Sequence, residues 1–200
     1  VLRGPVSWFL RQRLTGASAA LWAAGLLTTV WVGSRDLPIP RLAPGLVQYA
    51  EFLPSLAAAG IVASMVAPRH RIPEVRSLRG VAAWERMGLA GALVLTCAVW
   101  VVAAVVGTES TLLVVASRDL LGYTGIGLVC RGLGWGPYAP AVCVLVAAAA
   151  TVLGYPGQWL LHWPLEPVES WPAASIAVTL LCAGWWVGTG PCPMYSDATR

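Results

Sequence analysis

The sequence contains no lysine and no asparagine, and all thirteen of its basic side chains are arginines. Without lysine the chain cannot supply the P-loop residue that reaches nucleotide phosphates, so ATP hydrolysis of that kind must belong to another chain. Without asparagine there is no N-glycosylation acceptor. Charge is scarce as well: 11% of residues are charged and 58% are hydrophobic. Soluble domains run near about 25% charged and about 45–50% apolar. That contrast excludes an ordinary soluble domain and predicts an integral membrane protein.

Catalytic and metal-binding patterns are equally sparse. There is no GxSxG, HExxH or paired-histidine motif. His70 and His162 fall on opposite faces of the predicted topology and cannot share one metal. Cys97, Cys130, Cys143 and Cys182 lie in apolar runs and Cys192 in the tail, with no CxxC among them. That distribution argues for packing rather than for a disulfide framework or a zinc site. The net charge of +4 does not indicate nucleic acid, because the arginines flank apolar runs instead of sharing one soluble face. No catalytic, cofactor-binding or metal-ligating residue is assigned.

What is present is a series of apolar runs. They predict an all-α polytopic membrane protein, a single transmembrane domain of about six helices. The spans fall at about 16–33, 46–67, 87–106, 111–133, 137–153 and 173–188. The first run follows a basic flank without a clear cleavage site and reads as a retained helix. Pro38, Pro40 and Pro44 mark an extended connector after it. The aromatic, proline-rich stretch Tyr155–Pro172 has the composition of an interface-lying segment, a short re-entrant or surface helix. Most tryptophans lie near span ends, as an aromatic belt requires.

Charge orients the spans. Arg3, Arg11, Arg13, Arg69, Arg71, Arg76, Arg79, Arg86, Arg131 and Arg200 fall on one face, against Arg35 and Arg41 on the other. By the positive-inside rule both termini are cytoplasmic, in a cell inner membrane.

Two features rise above packing. The first is the basic loop PRHRIPEVRSLRGVAAWER, Pro68–Arg86. If Glu74–Arg86 is helical, it offers a charged face that could seat on a cytoplasmic partner; it could equally be a solvated positive-inside loop. The second is Arg118–Asp119, about two turns into the fourth span, with Glu51 early in the second. A mid-helix charge costs about 2.5–3.5 kcal/mol on insertion scales, so two are kept only with partners or beside a wet cavity. They read either as an ion pair ordering a broken fourth helix or as a polar position on a transport route. Glu51 reads as a hydrated carboxylate or as a polar contact inside the bundle. Gly122, Gly125 and Gly127 either weaken that helix or leave room for a neighbour.

The tract SRDLLGYTGIGLVCRGLG, Ser117–Gly134, resembles an R-N-L-L-G-x-T-G-x-x-L-x-x-R stretch of actinobacterial ABC transporter membrane subunits. The W-P-L-E-P…W-P-A-A pattern of Trp163–Ala174 is similar to the same group. Lysine and asparagine both use A-rich codons, so their absence points to a GC-rich gene, as actinobacteria commonly have. A polar segment between the second and third of six helices is also where ABC-2-type permeases carry a coupling helix. Asp119 stands where that group has Asn. The resemblance implies a permease subunit, an exporter of an amphipathic peptide or lipid-like substrate. It implies a second membrane subunit, the same or homologous, and a separate ABC ATPase that holds ATP and Mg. Glu74, Arg76, Arg79 and Glu85 would then be the coupling contacts. Two alternatives stand beside it: a non-catalytic accessory, immunity or scaffold subunit, and an intramembrane enzyme or secondary carrier using Arg118, Asp119 and Glu51.

Overall fold

The computed structural model describes residues 16–32, 35, 49–66, 81–107, 110–153 and 162–188. Among them every regular element is a helix: α1 Gly16–Val32, α2 Tyr49–Phe52, α3 Pro54–Val66, α4 Val81–Val106, α5 Ser110–Cys130, α6 Ala139–Leu153 and α7 Trp171–Gly188. A π-helical turn, Arg131–Trp135, and a 3-10 turn, Gly136–Tyr138, join α5 to α6. A further 3-10 turn, Trp163–Leu165, precedes α7.

Three stretches are long and apolar enough to cross a membrane: Glu85–Val106, Ser110–Leu153 and Trp171–Gly188. The second is folded back on itself. Gly134 has φ +91°, a left-handed conformation that side-chain-bearing residues rarely adopt. Beyond that glycine α6 returns along α5, bringing the Cys143 thiol within 3.3 Å of the Tyr123 carbonyl. Gly16–Val32 and Pro54–Met65 are shorter apolar helices.

Successive long helices alternate in direction. A Cβ on Gly25 of α1 would collide with the α3 backbone at Ala57, and one on Gly60 of α3 with α1 at Trp22, so those helices run antiparallel. Trp22 and Leu26 of α1 bond to Thr96 and Trp100 of α4, so these two run parallel. Gly125 meets Leu180, and Gly188 meets Leu128, so α5 and α7 are parallel as well. Small residues at these crossings let backbones approach, which suits association in a medium where burying apolar surface brings no gain.

The most extensive contact is between α5 and α7, and α5 also touches α2, α3, α4 and α6. The core lies around it: Leu120, Tyr123 and Leu128 of α5, Val62 of α3 and Cys143 of α6 are all fully buried. The outward faces remain apolar. Val94, Val101 and Val105 of α4 are 62–83% exposed. A soluble monomer rarely shows so continuous an apolar surface.

The predicted helices at 16–33, 137–153 and 173–188 appear with ends moved by a few residues. The predicted 46–67 helix is divided at Leu53, because Pro54 has no N–H to continue the ladder from α2. The predicted 87–106 helix starts earlier, at Val81. The fourth helix is not broken: α5 is continuous to Cys130, and its glycines are places where neighbours press close. Among the described residues, tryptophans of two kinds stand out. Trp31, Trp135, Trp171 and Trp186 are exposed near helix ends, whereas Trp100 and Trp163 are buried packing groups rather than members of a belt.

Candidate functional site

Two buried arginines mark α5 and the turn that follows it, about 20 Å apart at about 1.5 Å per residue. Each is held in a different way, and Arg131 Nη1 is buried with no hydrogen-bond partner among the described residues.

Arg118 is 8% exposed and lies more than two turns into α5. Its Nε donates to Asp119 Oδ1 at 3.0 Å. Its Nη2 donates to the Pro164 carbonyl at 2.7 Å, and its Nη1 to the Glu166 and Pro167 carbonyls at 2.9 and 3.3 Å. The planar guanidinium presents five donors in a fixed fork, which lets one side chain hold a whole turn of backbone. Residues 162–170 therefore form a strap fastened to α5. Prolines at 164 and 167 shape that strap, and as prolines they have no N–H of their own to satisfy.

Trp163 fixes the strap a second time. Its six-membered ring rests in the notch left by Gly122, where a Cβ would collide with it. The Trp163 and Tyr123 ring centroids are 5.5 Å apart at 52°, a tilted aromatic pair. The Tyr123 hydroxyl donates to the Glu51 carbonyl at 3.2 Å, so α2 joins the same assembly. Glu51 is half-buried, and His162 Nε2 lies 3.6 Å from Glu166 Oε1 on the rim. Asp119 is fully buried, and its Oδ2 has no hydrogen-bond partner among the described residues.

At the other end, Arg131 Nη2 donates to Glu85 Oε2 at 2.8 Å. The two side chains are 5% and 6% exposed. Glu85 stands in the second turn of α4, near the C-terminal end of the basic stretch Pro68–Arg86, and its carboxylate is engaged by Arg131 of its own chain. Of the residues expected to contact an ATPase, Glu85 is thus buried inside the bundle, while Glu74, Arg76 and Arg79 lie outside the described residues, as does His70.

The structure places Arg118, Asp119 and Glu51 at the same end of the bundle, with Glu51 joined through its carbonyl to Tyr123. Sequence reasoning missed Tyr123 and Trp163, which complete that end, and the pairing of Arg131 with Glu85. Two signals were available: a tyrosine four residues after Asp119, hence on the same helical face, and a buried-type arginine closing an apolar helix. Among the described residues no three His, Cys, Asp or Glu side chains gather as a metal site.

Comparison with family models, with curated proteins and with solved structures finds no match to this chain.

Proposed function

We propose that this chain is the membrane subunit of an ATP-driven transporter of the ABC-2 type, placed in the cytoplasmic membrane with six helices crossing it. In this reading α1, α3, α4, α5, α6 and α7 are the six, and the alternation of their directions supports it. The Arg131 end then faces the cytoplasm and the strap faces outward.

The observation that carries the reading is the Glu85–Arg131 pair. A cytoplasmic ATPase can drive a bundle only through a stiff link between its docking element and the helices. Here α4 begins at Val81, within the basic stretch Pro68–Arg86, and Glu85 ties that beginning to the base of α5. A push on Glu74, Arg76 or Arg79 would reach the central helix through one buried ion pair. A coupled change of this kind requires differential contacts in two states rather than distance alone. The cargo class, an amphipathic peptide or lipid-like molecule, rests on the family resemblance, as does the second membrane subunit.

The test is purification of the full chain from its native host in mild detergent. A stoichiometric P-loop ATPase in the complex, lost on Arg79→Glu while membrane insertion is unchanged, is the expected result. Recovery with membrane chains alone would move the assignment to an accessory or scaffold subunit.

A further inference from the structure

We propose that residues 162–170 are an openable cover over the Arg118 end of the bundle, latched by Arg118, with Asp119 as the positioning residue that aims the latch. Its use, admitting a cargo between α5 and α6, rests on the transporter reading above; the closure itself does not.

Three observations in depth order support it. Nearest the end of α5, one guanidinium holds the carbonyls of Pro164, Glu166 and Pro167. One turn further, the Trp163 ring fills the Gly122 notch against Tyr123. Beyond that, the Cys143 thiol lies against the Tyr123 carbonyl and under Gly127, fully buried. The strap thus reaches inward as a wedge onto Tyr123, and Cys143 contacts the backbone of that same residue.

The fastening is concentrated in few groups. Most of the polar attachment comes from one side chain, so loss of that side chain releases several backbone bonds together. The remaining hold is apolar packing, chiefly the buried Trp163 ring with Pro164 beside it. Asp119 sets the direction of the latch: its Oδ1 takes Nε, which leaves both Nη groups pointing at the strap. The charged and titratable groups around this device are Arg118, Asp119, Glu51 and Tyr123 within the bundle, and His162, Glu166 and Glu169 on the strap.

Two native thiols make a test possible. Cys143 lies buried against the Tyr123 carbonyl, beside the residue on which Trp163 packs, and Cys130 lies buried toward the Arg131 end. The full chain in mild detergent is treated with a small polar maleimide, and the modification rate of each cysteine is followed by peptide mass spectrometry. Arg118→Met and Trp163→Ala are each expected to speed modification of Cys143 at least tenfold, with Cys130 unchanged. Asp119→Leu should act like Arg118→Met, and Asp119→Asn, which keeps an acceptor for Nε, should restore part of the protection.

If Cys143 stays as slow in Arg118→Met and Trp163→Ala as in the unaltered chain, there is no cover to open. If Cys143 and Cys130 speed up together, the substitutions loosen the whole bundle and the local latch is wrong. If Asp119→Leu leaves Cys143 protected, Asp119 does not aim the arginine. No ATPase and no transport step enters the measurement, so its failure and that of the transporter reading are separable.

Discussion

Glu85 and Arg131 are 46 positions apart in the chain, and their side chains meet at 2.8 Å inside the bundle. The pair joins the start of α4 to the base of α5 where both charges are withdrawn from solvent. Removing one partner of a buried pair leaves an uncompensated charge, which costs more than the pair contributes.

Glu85→Ala is therefore expected to destabilise the bundle by about 3–5 kcal/mol. The double variant Glu85→Ala with Arg131→Met should recover a large part of that loss. Denaturant unfolding in detergent reads both. Strictly additive losses would show that the two side chains do not act as a unit.

The link between α1 and α4 should be weaker. Trp22 Nε1 donates to Thr96 Oγ1 at 2.9 Å, and Thr96 is fully buried. Hydrogen bonds between membrane helices average about 0.6 kcal/mol, with a maximum near about 1.7. Thr96→Val should fall in that range. A loss several times larger would mean that Thr96 carries more than this bond.

Two glycines separate crossing from exposure. A Cβ at Gly125 would overlap the α7 backbone at Leu180, while Gly91 of α4 has nothing within 4 Å. Gly125→Ala is expected to cost about 1–3 kcal/mol through overpacking, more if the helices cannot shift. Gly91→Ala should be neutral, or stabilising by up to about 1 kcal/mol through helix propensity. Equal effects at both positions would contradict the observed packing of α5 on α7.

Most of the helices were legible from composition, because long apolar runs have a length that only a helix at about 1.5 Å per residue converts into a spanning element. What runs of hydropathy do not carry is partnership. Hydropathy placed the start of the third span at Met87, because Glu85 and Arg86 look like the end of a loop. The helix continues back to Val81 since Arg131 makes Glu85 tolerable inside. Pro54 was a readable break in the second run, but it lay within an otherwise uniform apolar stretch and was absorbed into it. The glycines of α5 had two readings in sequence, weakening or close approach, and only the positions of Trp163 and Leu180 separate them.

The candidate site was half legible. An adjacent Arg–Asp pair in an apolar run demands satisfaction, and the residue types alone carry that demand. Its solution is not written in them. Three of the four acceptors of Arg118 are backbone carbonyls about 46–49 residues away, and carbonyls have no signature in a sequence. Trp163 gave a misleading signal, since an interfacial tryptophan and a buried wedge look alike until the Gly122 notch is seen.

The central claim is that the segment before α4 docks on a cytoplasmic ATPase. The most direct measurement places a photo-crosslinking amino acid at Leu78 of the full chain and irradiates native membranes. A crosslink to a P-loop ATPase, altered in yield when ATP is added, is the predicted result. Crosslinks confined to lipid or to membrane chains, unchanged by ATP, would contradict the account.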